Sequence, residues 1–165
     1  MNRALRILFP LLVAAAIMQA GWQHGRLPER VATHFDFAGR ANGWMSREVQ
    51  TAAHIGIVLF LAAMLEGLAR LGPRLPDEMI NLPQCDYWLA PERRAATHAR
   101  LAAMVRLIGC LLMGFFLALF DQVYRANVNG TQMLTAPAGL VVGGLLVTVG
   151  LVIAGGGVRF ARPPA

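Results

Sequence analysis

Charge is scarce in this sequence, and serine and cysteine are nearly absent. Charged residues fill 15% of the 165 positions, against about 25% in an ordinary soluble domain. Ser46 is the only serine. It reads as a helix cap rather than as a nucleophile beside a base. The threonines are scattered without a partner pattern. No His-Glu-x-x-His run occurs, so the zinc-protease signature is missing, and there is no glycine-rich phosphate loop. Cys85 and Cys110 are the only cysteines, one in polar and one in apolar surroundings, with neither metal-ligand spacing nor a redox pair. These absences argue against an enzyme and leave no catalytic residue, metal or cofactor to name. Lysine is missing altogether: the 15 basic residues are all arginine, and the formal charge is +6. In a soluble chain that excess would suggest nucleic acid. Here the arginines flank apolar runs, which is a membrane-topology pattern, so nucleic acid is set aside.

What is abundant is apolar residue. Hydrophobic side chains make up 56% of the chain and the mean hydropathy is +0.51. They fall in four runs near the roughly 20 residues needed to cross a bilayer: about residues 5–22, 49–69, 101–122 and 137–158. The expected fold is all-α: a single polytopic membrane domain over 1–165, with four transmembrane helices in contact with lipid. The first run has a basic start and a short core, as a signal peptide does. A cleavage after Ala20 would put Met18 where a small residue is preferred, so a retained helix is expected. The third helix starts at Ala90-Pro91-Glu92, with proline at the first helical position. From 91 to 122 it would measure about 48 Å, so its first ten residues should project into water.

Two polar connections join the first three runs. In the outer loop, 23–47, Val31, Thr33, Phe35 and Phe37 alternate with Ala32, His34 and Asp36. That period of two predicts a short strand. Asn42-Gly43 reads as a turn, giving an ordered or hairpin-like loop on the membrane surface. Trp44 then approaches the interface, and Ser46 and Glu48 start the second helix. The inner loop, 70–100, carries Asn81, Pro83, Asp86, Tyr87, Trp88, Pro91, Arg93 and Arg94. Tyr87 and Trp88 are expected to anchor at the interface, and Asp86 to tether the loop to an arginine. The segment is either a membrane-hugging elbow or a docking surface for a partner.

Arginine placement sets the orientation. Arg3, Arg6, Arg70, Arg74, Arg93, Arg94, Arg100, Arg106, Arg159 and Arg162 fall on one side, against Arg26, Arg30, Arg40, Arg47 and Arg125 on the other. The richer side is expected to be cytoplasmic, with both termini inside. Glu66 and Arg106 fall within the spans near the inner end. Either they pair, because an unpaired charge in lipid is costly, or Arg106 snorkels to the headgroups. His54 and Asp121 lie near the outer ends, beside His24, His34 and Asp36. They read as a polar patch, and less well as a metal site. In the fourth run Gly139 and Gly143 form a small-xxx-small pair, which allows close helix packing.

Two blocks carry a family resemblance. The first is Leu27-Pro28, then His34-Phe35-Asp36-Phe37-Ala38-Gly39-Arg40 and Gly43-Trp44. It resembles the loop signature of a bacterial membrane family known as domain of unknown function 1648, which also occurs in SdpI-like immunity and signalling proteins. Pro28, His34, Asp36, Gly39, Gly43 and Trp44 are the positions involved. The second, Asn81-Leu82-Pro83, Asp86-Tyr87-Trp88 and Pro91-Glu92-Arg93-Arg94, is similar to a block between the second and third helices in a subset of that family, with Gln84 and Cys85 in place of its usual Asn and Lys. The resemblance implies a bacterial inner-membrane protein with four retained spans. For function it implies immunity or signalling, and the ordered outer loop beside an inner loop of unusual composition points to a sensory, immunity or regulatory role with binding at the outer loop. The alternative is an accessory subunit of a larger complex, with a protein partner or further copies of itself in the membrane. A third reading is an oligomeric transporter that depends on Glu66 or Arg106.

Overall fold

The computed structural model describes residues 2–161; Arg162, counted above among the inner arginines, lies outside them. The elements run α1 (Asn2–His24), β1 (Arg30–Phe35), β2 (Ala41–Ser46), α2 (Arg47–Leu71), two 3-10 turns (Gly72–Arg74 and Asp77–Met79), α3 (Cys85–Trp88), α4 (Pro91–Val128) and α5 (Ala138–Ala161). Four of the helices are long and apolar enough to cross a membrane. The chain is thus an all-α multi-pass membrane protein with a short β-hairpin between its first two spans.

Local chemistry explains where these helices begin. Ser46 is the N-cap of α2, and its Oγ accepts the Val49 N–H at 3.3 Å, satisfying one of the orphan donors of the first turn. Glu48 sits in that turn. Pro91 opens α4, where its missing N–H costs nothing. Pro10 lies inside α1 without ending it. α4 holds 38 residues, so it is about 57 Å long against a hydrocarbon core of roughly 30 Å. It continues past the residue-122 boundary expected from the apolar run, because Asp121 and Arg125 pair one turn apart at 2.7 Å and Asn127 is held by the hairpin.

α1, α2 and α4 pack on one another, and α5 packs on α4. The core lies between the first three: Leu5, Phe9 and Ala16 of α1, Val58 and Leu65 of α2, and Ala103, Cys110 and Met113 of α4. In lipid such packing rests on close contact rather than on water exclusion. Glycine permits it at two crossings. A Cβ at Gly109 would stand 2.6 Å from the Phe9 ring, and one at Gly156 would stand 2.5 Å from the Met104 sulfur. Gly139 and Gly143 do not have that place in the described structure. A Cβ at Gly143 would meet nothing within 4 Å, and one at Gly139 would meet only Phe37 of the hairpin, at 3.6 Å. The outward side of α5, with Leu146, Val147 and Leu151, is exposed and suited to lipid.

The 70–100 loop is fastened differently from the expectation. Trp88 is buried by protein rather than anchored at the interface. Its Nε1 donates to the Phe160 carbonyl at 2.6 Å, and the two rings meet edge to face at 5.3 Å. The Thr97 hydroxyl caps the Trp88 carbonyl at 2.8 Å. A buried indole must satisfy its N–H, and the end of α5 supplies the acceptor. Tyr87 is half-buried, with Arg93 stacked over its ring at 4.1 Å and donating to its carbonyl at 2.7 Å. The loop-to-helix ion pair is made by Asp77 to Arg94; Asp86 accepts from the Cys85 thiol at 3.6 Å.

Candidate functional site

Polar side chains gather at the two ends of the bundle. At the end where α1 finishes and α2 begins stands the hairpin. β1 and β2 pair antiparallel, and between Ala32↔Trp44 and His34↔Gly43 the register slips, leaving Thr33 as a bulge. The turn is not at Asn42-Gly43, which lie inside β2. It lies at Asp36–Arg40, where the Asp36 carbonyl accepts the Gly39 N–H, the Asp36 N–H donates to the Arg40 carbonyl, and Asp36 Oδ1 accepts the Arg40 N–H, each at 2.9 Å. Gly39 has φ +83°, a left-handed conformation that glycine adopts freely. Gly43 serves another purpose: a Cβ there would be 2.9 Å from the His34 Cβ. Two glycines of the loop signature therefore have separate physical reasons, a turn and a close cross-strand approach.

The hairpin is tied to α4 by a side chain that imitates a strand. Asn127 Oδ1 accepts the Ala32 N–H at 2.7 Å, and its Nδ2 donates to the Ala32 carbonyl at 2.9 Å. The amide thus meets both backbone groups of one residue, as a neighbouring strand would. This explains why Val31 and Ala32, on opposite faces of β1, are both fully buried, although a surface strand should bury alternate residues. The segment after α4 adds a second tie. Leu134 N–H donates to the Gly39 carbonyl at 2.9 Å, and Ala41 N–H donates to the Gln132 carbonyl at 3.0 Å. Behind Pro28, which is exposed, the Leu27 carbonyl accepts from Arg47 Nη1 at 3.3 Å. What remains outward mixes apolar and charged side chains, with Arg30, His34, Asp36 and Arg40 all exposed. Phe37 at the tip is 91% exposed, and Trp44 is 41% exposed beneath Arg30, 5.4 Å from its ring. Phe35, Asp36, Phe37 and Asn42 form one wall of a groove whose other wall is Gly139, Val142, Gly143 and Leu146 of α5.

Beneath the hairpin His54 is buried and stacked on Phe120 at 3.5 Å, its Nε2 without a partner. Gln19 donates to the Leu117 carbonyl at 2.9 Å, and His24 shares a hydrogen bond with Thr51 at 2.9 Å. His34 and Asp36 remain on the hairpin. Among the described residues no group of three or more His, Cys, Asp or Glu is placed to hold a metal ion.

The opposite end is built on charge. Arg106 donates to Glu66 through Nε at 2.9 Å and Nη2 at 2.8 Å, a bidentate fork. Arg70 Nε donates to the same carboxylate at 2.7 Å. Arg106 is 6% exposed and Glu66 is half-buried, so the pair joins α2 to α4 and Arg106 does not reach outward. Above it a cavity of about 770 Å³ opens between α1, α2 and α4, lined by Arg6, Arg70, Arg94, Arg106, Glu66 and His98 among others. Arg6 and Arg70 count in the sequence only as topology arginines, and His98 carries no mark there. The available signal was the spacing of Arg94, His98, Ala102 and Arg106, four apart on one helix face. Asn127 had no such signal, because its partner is 95 residues away.

Fold and geometry together define a small multi-pass membrane protein with a β-hairpin at one end of a helical bundle and an arginine-lined cavity at the other. Residues 11–59, from α1 through the hairpin into α2, match the family described as Domain of unknown function (DUF1648). The second signature block, 81–94, lies outside the match. No curated protein matches the chain, and no solved structure does.

Proposed function

We propose that this chain is a non-enzymatic protein of the bacterial inner membrane, with both termini cytoplasmic, that binds a ligand at the 23–47 hairpin in a sensory, immunity or regulatory role. The observation that supports this reading most is the double hydrogen bond of Asn127 to Ala32. It makes the hairpin an extension of α4, the helix whose other half carries Arg94, His98 and Arg106. A ligand that favours one hairpin position would bias the position of α4, and so the inner cavity; a ligand shifts an equilibrium only by such differential contact. The exposed Phe37 and Trp44, with Asp36 between the strands, form the contact surface. The test is complementation of a deletion strain. Chains carrying Phe37→Ala or Asp36→Ala, at matched abundance, should fail to restore the deletion phenotype. Leu146→Glu would disturb the lipid face, so the control is Leu151→Ala, which should restore it. Equal rescue by all three variants would overturn the reading.

The accessory-subunit alternative draws on α5, which packs on α4 alone among the long helices with substantial contact. Its outward face would then meet a protein partner or a second copy. Gentle extraction followed by mass spectrometry decides between them. A fixed near-stoichiometric partner favours the subunit; recovery alone favours the hairpin reading.

A further inference from the structure

The inner cavity is not the ligand site of the hairpin reading, and its walls carry a dense cluster of charge. Four arginines from three helices face it: Arg6 of α1, Arg70 of α2, and Arg94 and Arg106 of α4. One carboxylate, Glu66, stands among them. It accepts from Arg106 twice and from Arg70 once, so it orients those two guanidinium groups while neutralising only one of the four charges. Asp77 offsets a second, through Arg94. The cavity therefore retains net positive charge. Like charges repel, so this collection is unfavourable without a compensating anion, most of all around the buried Arg106.

An independent observation points the same way. His98 lines the cavity, is only 7% exposed, and has a buried Nε2 with no hydrogen-bond partner. Buried polar atoms are satisfied in the great majority of cases, and this nitrogen lacks the partner that such an atom normally finds within the chain. The rest of the wall is made largely of small residues, Ala69, Ala95, Ala99 and Ala102, which leave the volume open. Glu66 and Arg106 lie at its floor, within the spans, and Arg94 lies near the start of α4, which projects beyond them.

We infer that this cavity binds one phosphate group, held by the guanidinium groups of Arg6, Arg70, Arg94 and Arg106 with His98 as a further partner. Planar guanidinium groups recognise phosphate oxygens in pairs. Basic pockets between spanning helices on the cytoplasmic side suit the phosphates of anionic lipid headgroups, and a soluble phosphate has the same chemistry. The inference does not depend on a hairpin ligand: it fails or stands on substitutions at the other end of the bundle.

The experiment uses the full chain, stripped of lipid in a neutral detergent and titrated in separate arms with phosphatidylglycerol, cardiolipin and inorganic phosphate, with bound mass read by native mass spectrometry. One phosphate-bearing molecule should bind saturably per chain. Binding of either lipid without inorganic phosphate identifies a headgroup site; competition by inorganic phosphate identifies a site for the free anion. The double variant Arg6→Gln/Arg70→Gln should weaken binding by about tenfold or more, as loss of charge-assisted hydrogen bonds does. The matched variant Arg3→Gln/Arg74→Gln removes the same charge from exposed residues at the same end of the bundle and should change binding less than about twofold. Both arginines removed from the cavity keep exposed side chains, and the Arg106–Glu66 fork stays in place in the variant; an unchanged unfolding midpoint checks that the fold is kept. Equal weakening by the two double variants, or no saturable binding in any arm, would overturn the inference.

Discussion

The two ends of the bundle are ordered by different physics. At the hairpin end the ties are mainly directional hydrogen bonds to backbone: Asn127 to Ala32, Leu134 to Gly39 and Ser46 to Val49, with Asp36 and Arg47 adding charged partners. At the arginine end they are ionic, with one carboxylate organising two guanidinium groups. Neutral hydrogen bonds contribute modestly and fix position. A buried ion pair contributes little net stability while intact, but removing one partner leaves a charge without compensation. The hairpin end is therefore positioned and the arginine end is poised, and the same long helix serves both.

Substitutions can sharpen that contrast. The largest effect is expected at Glu66. Glu66→Ala strands the protein-buried Arg106 and should destabilise the bundle by about 3 kcal/mol, measured by reversible denaturation in mixed micelles. The double variant Glu66→Leu/Arg106→Met should recover most of the loss. If the single variant unfolds at the wild-type midpoint, the pair is not the structural tie described here. Next is Gly43→Ala, whose methyl would collide with the His34 Cβ; overpacking of that kind costs about 1–3 kcal/mol. Its damage should stay in the hairpin, seen as faster proteolysis between residues 27 and 47 with the helical signal unchanged. Asn127→Ala leaves two Ala32 backbone groups unpartnered in a buried strand, for a local loss of about 1–2 kcal/mol. Hydrogen exchange at the Ala32 amide reports it directly, and wild-type protection there would break the proposed link between hairpin and α4. The smallest is Ser46→Ala, about 1 kcal/mol from a lost N-cap, seen as fraying at the first turn of α2.

The sequence made some of this readable and some not, for physical reasons. Spans, the Ser46 cap and the Pro91 start depend on local composition, and a single chain displays them. The hairpin is readable from its alternation, but Asn42-Gly43 points to a turn in the wrong place. The actual turn depends on the Asp36 side chain and Gly39, and Gly43 is needed instead for a cross-strand approach that only three-dimensional pairing reveals. Trp88 looked like an interface anchor because tryptophan favours that layer. Its burial depends on an acceptor 72 residues away, at Phe160. Gly139 and Gly143 have the spacing of a packing motif, whereas the crossings use Gly109 and Gly156, which have no such pattern. The basic cavity escaped for the same reason: Arg6 and Arg70 belong to different helices, and counting arginines for topology hides their convergence.

The account depends most on the two ends facing opposite sides of the membrane, hairpin outside and arginines inside. Spheroplasts expressing the full chain can be treated with a membrane-impermeant maleimide. One protein keeps the exposed Cys85 of the inner loop; the other carries Cys85→Ser with Phe37→Cys at the hairpin tip. The account predicts that the cysteine introduced at position 37 reacts in intact spheroplasts and that Cys85 reacts only after the membrane is opened. Labelling of Cys85 in intact spheroplasts, with position 37 protected, would contradict it and invert the proposed direction of sensing.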